Sequence, residues 1–342
     1  MKLAVVLFNL GGPDAPEAVA PFLRNLFSDR AIIDLPGLVR KPLARFIANK
    51  RAPVATEIYA RIGGRSPILP ETEAQARALE AALKTRGQDA RCFIAMRYWK
   101  PFSDEAARAV AAWKPDQIVL LPLYPQFSTT TTGSSLTDWR RAAKAAGLTA
   151  PTTRICCYPL DKGFVTAAAA LIGATLEKMR ADVSYRLLLT AHGLPEKIIQ
   201  KGDPYAWQVE QSAKSIIAAL NRPGLDWIVS YQSRVGPLKW IGPATDDEVR
   251  RAGREGKGLI VAPIAFVSEH SETLVELDME YRTLAAENGV PDYVRVPTVS
   301  VLPDFINGLA DLAHRAVNGE KTVTCGAGRL CPPEFSACGY AL

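Results

Sequence analysis

A histidine that closes an apolar run and is followed at once by glycine and proline is placed for chemistry. Residues 187 to 195, Leu-Leu-Leu-Thr-Ala-His-Gly-Leu-Pro, read as a buried strand that stops at His192. In open α/β sheets the ligand crevices lie at the C-terminal ends of strands, and a neutral imidazole accepts a proton near neutral pH. Residues 259 to 281 give a second apolar strand, a polar turn and a helix. The turn, Glu269-His270-Ser271-Glu272, concentrates oxygen and imidazole groups at a strand mouth. On the helix Glu272, Glu276 and Glu280 recur at every fourth position, with Leu274, Leu277 and Tyr281 on the opposite stripe. Three like charges in a row weaken an α-helix, and a spacing of four aligns best when the winding is wider than 3.6 residues per turn. A local π-type turn is therefore expected. A solvated polar face is the plain alternative. His192 and Glu272 are the candidate catalytic pair, with Glu269, His270, Glu276 and Glu280 as a charged path to solvent.

The elements that must position these groups alternate regularly. A strand from Leu3 precedes the loop Asn9 to Asp14, a helix is expected over 71–86, and a strand over 91–96 ends at Arg97-Tyr98. A helix over 104–113 leads to the strand 116–122 and the hydroxyl-rich tract Ser128 to Ser135, whose groups either hold carboxylates or cap a helix. Strand and helix alternation up to about residue 145 describes a doubly wound parallel half. Further strands are expected at 152–158, 185–191, 226–231, 258–263 and 293–297. The fold class is therefore α/β, with two doubly wound, Rossmann-like parallel-sheet domains and the active cleft between them. The boundaries expected are 1–150, 151–302, and a C-terminal helix with a cysteine-rich tail over 303–342. Trp240 lies in an irregular loop, where an indole serves a core or a flat ligand equally well.

Composition narrows the function classes. The chain has 342 residues, 48% of them hydrophobic and 22% charged, and a formal net charge of +6, which is ordinary for a globular protein of two domains. No apolar run is long enough to span a membrane. The glycine loop after the first strand fits neither nucleotide-binding pattern, so no nucleotide is expected. The basic residues are too dispersed for nucleic acid. The N-terminus enters a strand with no leader, so a cytoplasmic location is expected. Residues 22–51 interleave apolar groups with Arg24, Arg30, Arg40, Lys41, Arg45, Lys50 and Arg51. They read either as sheet packing or as a lip that enters a lipid interface, with cations meeting headgroup phosphates.

Several stretches together resemble the ferrochelatase family: TAHGLP around His192, PIAFVSEHSETLVELDMEY from Pro263 to Tyr281, LFNLGGP from Leu7, MRYWKP from Met96, LPLYPQFSTTTTGSS from Leu121 and YQSRVGPLKWIGP from Tyr231. The resemblance covers nearly the whole chain in order. It implies a two-domain chelatase fold that inserts Fe²⁺ into protoporphyrin IX to give protohaem, releasing two protons. His192 and Glu272 would act on protons and on the incoming Fe²⁺, and Leu10, Arg97, Tyr98, Tyr124, Ser128 and Trp240 would line the porphyrin site. Leu10 stands where the coproporphyrin branch of the family carries tyrosine, which points to protoporphyrin. The segment 22–51 would frame the cleft mouth as a peripheral membrane contact, and a homodimer is a further partner to consider. A chelatase for coproporphyrin or another metal–tetrapyrrole pair is the rival within the class. A non-catalytic tetrapyrrole or iron–sulfur binding protein is the rival outside it.

Cys325, Cys331 and Cys338 lie close together in a Gly/Pro-rich tail. Disulfides are not expected in a cytoplasmic chain, so the three read as thiolate ligands, with a fourth from Cys156, Cys157 or Cys92. The resemblance implies a [2Fe–2S] cluster, for which Cys156 or Cys157 is the nearest upstream ligand, and zinc is the rival metal for four thiolates.

Overall fold

The computed structural model describes residues 1–234, 236, 238–319 and 322–341. Its first unit comprises Met1–Cys157, Leu309–Gly328 and Gly339–Leu342, and its second Tyr158–Gly308 and Arg329–Cys338.

In the first unit β1 (Lys2–Asn9) is followed by α1 (Val19–Phe27), α2 (Gly37–Ala60) and α3 (Ile68–Thr85). Then come β2 (Asp89–Met96), α4 (Ser103–Trp113), β3 (Gln117–Pro122), α5 (Thr132–Ala145) and β4 (Thr152–Cys157). β1 is apolar almost throughout, and all but its first residue is buried, as expected of a parallel strand covered on both faces. It pairs in parallel with β2 on one side and β3 on the other. Phe8 packs edge-on against Trp139 of α5 at 6.1 Å between ring centroids, joining Val6, Phe93 and Leu120 in one core.

The second unit holds α6 (Lys162–Leu176), β5 (Tyr185–His192), α7 (Glu196–Gln200), α8 (Tyr205–Leu220), β6 (Trp227–Gln232), α9 (Thr245–Arg254) and β7 (Gly258–Pro263). A π-helix over Glu272–Glu280 runs directly into α10 (Tyr281–Glu287), followed by β8 (Tyr293–Arg295). α11 (Pro303–Val317) begins in this unit and passes into the first at Leu309, where β9 (Thr322–Thr324) closes the first sheet. The orders are β2-β1-β3-β4-β9 and β6-β5-β7-β8, with every pairing parallel. In the second sheet the chain steps from β5 to β6 on one side and to β7 on the other. That reversal makes a crevice at the C-terminal ends of β5 and β7, the point from which His192 and the segment before the π-helix emerge.

The expectation of two parallel α/β domains holds, and the boundaries differ from those expected. The strand over 152–157 pairs with β3 and therefore belongs to the first sheet. Residues 303–342 form no separate piece, because α11 is divided between the units. The π-type winding expected from the glutamate spacing is present over Glu272–Glu280.

Candidate active site

Pairing register builds the centre of the site. β5 and β6 stay paired up to His192 opposite Gln232, and the Gly193 N–H donates to the Gln232 carbonyl at 2.8 Å. A side chain at Gly193 would meet that carbonyl at 2.9 Å and the Trp240 ring at 3.3 Å, so the turn after His192 requires glycine. β7 stops at Pro263 opposite Thr190, and the chain returns through Ser268 to the π-helix. There Glu272 Oε2 lies 2.9 Å from His192 Nδ1 and 3.6 Å from His270 Nε2. The His270 ring packs on Phe266 at 4.5 Å between centroids.

Glu276 continues from this pair. Its carboxylate accepts from the Ser233 N–H at 2.8 Å and the Ser233 hydroxyl at 2.5 Å, and from Gln232 Nε2 at 3.2 Å. Ser233 reaches it from a left-handed backbone conformation at φ 63°, uncommon for a residue with a Cβ.

The electrostatics separate the three groups. Burial would raise the Glu272 carboxyl, but the charge and hydrogen bonds of His192 and His270 overcome it and hold it well below the usual range. Burial opposes protonation of His192, and Glu272 and then Glu276 more than compensate, so its basicity is raised. Glu276 is raised by burial and by the Glu272 charge, against the hydrogen bonds from Ser233. A strong acid, a strengthened base and a weakened acid therefore stand in sequence, as expected where protons are passed.

Glu269, a further member of the expected path, is engaged elsewhere. Glu269 is held by the Arg295 guanidinium at 2.9 and 3.2 Å and by the Thr298 N–H at 2.9 Å. Burial would raise its carboxyl, but the Arg295 charge lowers it. A carboxylate neutralised in this way is structural. Glu280 is on the exposed end of the π-helix. Trp240 is half-buried in an isolated bridge to Pro195, and its indole N–H has no hydrogen-bond partner among the described residues.

In the first unit the sequence candidates form a network of their own. The Arg97 and Tyr98 amides donate to the Asn9 and Leu10 carbonyls, each at 2.9 Å, which ties the Leu10 loop to the end of β2. The Arg97 guanidinium pairs with Asp29 at 2.9 Å, donates to Ser134 Oγ at 2.6 Å and lies over the Tyr98 ring. Tyr98 is wholly buried, and its hydroxyl donates to Asp29 at 2.8 Å. Burial would raise Asp29, but Arg97, Ser134 and Tyr98 hold it low. Arg97 is thus compensated internally. Tyr98 packs with Val19, Phe22 and Leu23 in a core that Leu10 partly joins. Tyr124 packs against the Phe8 and Trp139 core. Ser128 is buried, with its hydroxyl 2.8 Å from that of Thr130 and accepting from the Thr130 N–H at 3.1 Å; the helix that follows begins without a side-chain cap. Sequence reasoning missed Asp29, Gln232, Ser233 and Arg295. Only Ser233 carried a local signal, its place one residue past a strand end.

For the cysteines, sheet order decides one question. β4 and β9 are neighbours, with Cys157 opposite Thr324 and Cys325 next in the chain. Cys92 lies on β2, four strand positions away, about 19 Å at the usual strand spacing, which removes it as a partner of Cys325. Cys331 Sγ accepts from Gln208 Nε2 at 3.0 Å. Among the described residues no group of three or more His, Cys, Asp or Glu is arranged to hold a metal ion.

Paired parallel sheets with a histidine–carboxylate centre at a strand-order reversal place the chain among proteins with the chelatase fold. The sirohydrochlorin chelatase SirB of Bacillus subtilis, solved with Fe³⁺, superposes with a TM-score of 0.54 at 14% identity over 93% of this chain and 97% of that one. Its cobalt complex, from subspecies spizizenii, gives 0.53. More particularly, the ferrochelatase family model matches residues 2–317, and the chain belongs to the ferrochelatase family. Relatives named ferrochelatase include those of Phenylobacterium zucineum, 59% identical over 99% of this chain and 98% of its own. Those of Caulobacter vibrioides, 56% identical over 98% and 97%, and Rickettsia bellii, 45% identical over 98% and 94%, extend the set.

Proposed function

We propose that this chain inserts Fe²⁺ into protoporphyrin IX, the protohaem-forming reaction of its family, with His192 as the group that takes the pyrrole protons and Glu272 as the carboxylate that orients and charges it. The observation that carries the reading is the 2.9 Å contact between His192 Nδ1 and Glu272 at the strand-order reversal of the second unit. With the Nδ1 proton directed at Glu272, Nε2 keeps a lone pair for the substrate. The imidazolium that forms is stabilised by the adjacent anion, the arrangement that orients a base in hydrolytic triads. Because Nδ1 is engaged with the carboxylate, the geometry favours proton transfer over holding Fe²⁺ between His192 and Glu272. Glu276, the weaker acid on Gln232 and Ser233, is the next acceptor, and Glu280 leads outward. Trp240 offers a flat face to a flat macrocycle, and its indole N–H has no partner among the described residues. The test is His192→Ala: iron insertion under anaerobic conditions is lost while porphyrin binding persists, and near-normal turnover would overturn the assignment.

Two finer features belong to the same reading. α2 exposes Leu38 at 93% and Phe46 at 66%, with Val39 and Val54, among exposed Lys41, Arg45 and Lys50, and no helix among the described residues can cross a membrane. This supports a peripheral lipid contact for delivery of an apolar substrate. Cys325, Cys331 and Cys338 with Cys156 or Cys157 supply four soft thiolates suited to a [2Fe–2S] cluster. The neighbouring strands β4 and β9, which bring Cys157 opposite Thr324, the residue before Cys325 in sequence, support that donor set. When bound, such a cluster would add electron-transfer or structural chemistry, and no step of the proton path uses it.

A further inference from the structure

One guanidinium grips the π-helix and its approach together. Arg295 ends β8, and its side chain is only 10% exposed. Nη1 donates to both oxygens of Glu269 at 2.9 and 3.2 Å, and Nε donates to Asp278 Oδ2 at 2.9 Å. Glu269 precedes Glu272 by three residues and Asp278 follows it by six. Arg282 also binds Asp278, at 3.2 Å, but from the next turn of the same run and half in solvent. Arg295 therefore supplies the contact to Asp278 that comes from the sheet.

Two of the anchors on this helix bear directly on its winding, beside the Glu276 contacts to Gln232 and Ser233 and the Tyr293 hydroxyl that donates to the Leu277 carbonyl at 2.6 Å. Glu272 is tied to His192 on β5, and Asp278 to Arg295 on β8. A π-helix turns about 82° per residue, at about 4.4 residues per turn, against 100° for the α-helix. Over the six residues between the anchors, rewinding to α would rotate Asp278 relative to Glu272 by roughly 110°. Both contacts can be made together only at the wide winding.

We propose that Arg295 is a positioning residue for iron insertion: by holding Glu269 and Asp278 at once, it keeps residues 272–280 in π winding and so aims Glu272 at His192 and Glu276 at Ser233. The proposal rests on the reading of Glu272 as the orienting carboxylate, and its test has a readout independent of the chemistry. Arg295→Gln and Asp278→Asn are compared with the parent chain by amide hydrogen exchange and by anaerobic turnover. Because Arg295→Gln leaves two carboxylates without their shared cation and risks misfolding, Asp278→Asn, which keeps the Glu269 pair, is the second variant. Exchange over 270–281 should rise at least about tenfold with β5 and β7 unchanged, and kcat should fall about tenfold with KM for porphyrin within about twofold. The double variant should be no worse than the poorer single. Unchanged local exchange overturns the proposal. So does a rise spread over β5 and β7, the mark of a general stabiliser, or a loosened helix with normal kcat. Failure of the His192 assignment would show instead in His192→Ala and leave the exchange result intact.

Discussion

Glu272→Gln keeps the shape of the side chain and removes its charge, which makes it the sharpest probe of the pair. The contact to His192 Nδ1 is a charge-assisted hydrogen bond at 2.9 Å, a class that contributes about 1.5–3 kcal/mol. With the imidazole 36% exposed and the carboxylate 28%, solvent screening places the effect in the lower half of that range, about 1.5–2 kcal/mol. Stabilisation of the imidazolium by that amount corresponds to a loss of about 10–30-fold in kcat, with KM for porphyrin little changed. The pH dependence has a defined sign. Glu272 raises the basicity of His192, so in the parent enzyme the acid limb of kcat lies above the position set by an isolated imidazole. In the variant that support is gone and the limb moves to lower pH. Stability responds in the complementary sense. The folded-state carboxyl of Glu272 is depressed, so its contribution is present above the unfolded value of about 4.3 and is lost as pH falls through the folded one. Acid therefore destabilises the variant less than the parent. The assay is haem formation under anaerobic Fe²⁺ from about pH 5.5 to 9, with thermal unfolding followed from neutral pH down to about 3, below the unfolded carboxyl value. Turnover within twofold of the parent, or an acid limb that does not move, would refute the assignment of Glu272.

Replacing Leu38 and Phe46 together by aspartate should reduce co-sedimentation with anionic vesicles by at least tenfold, since each apolar side chain contributes up to about 1.5–3 kcal/mol when buried. Turnover with detergent-dispersed porphyrin should be unaffected, and equal vesicle binding would remove the lip reading. Anaerobically purified protein should show red-brown iron–sulfur absorption that Cys331→Ser or a chelator abolishes, whereas a colourless parent chain removes the cluster. Gly308→Ala should lower the melting temperature by several degrees, because the added methyl group would meet the Asp161 carboxylate and approach Gly163 at 3.2 Å, overpacking that costs about 1–3 kcal/mol. An unchanged melting temperature would mean that the contact relaxes freely.

What was legible in the sequence follows from what local pattern encodes. His192 could be placed because an apolar run ending in His-Gly-Leu-Pro marks a strand terminus, and the β5–β7 reversal then supplied the crevice. The wide winding of 272–280 could be anticipated because like charges every fourth residue fit a π-helix better than an α-helix. The domain boundary could not, since the 152–157 strand reads the same whichever sheet it joins, and its side is decided by pairing with β3. The ion pair of Arg97 with Asp29 could not be read from the sequence, because that acid lies 68 residues earlier on a segment with no pattern linking the two.

The sharpest division falls among the glutamates, which composition treats as equivalent. Glu269, Glu272 and Glu276 lie within eight residues, and each is partly or largely buried, yet they face different partners. A guanidinium remains charged at every working pH, so the acid opposite it, Glu269, is locked as a permanent ion and can only hold structure. An imidazole can lose its charge, so the acid opposite it, Glu272, faces a partner whose protonation changes during turnover. The acid opposite hydroxyl, amide and another carboxylate, Glu276, has no cation in direct contact among the described residues, and burial and the Glu272 charge raise its carboxyl, which favours its taking up what the pair releases. Role at this site is therefore set by the titration behaviour of the partner, which arrives from β5, β6 or β8, and no spacing within the helix could have disclosed it.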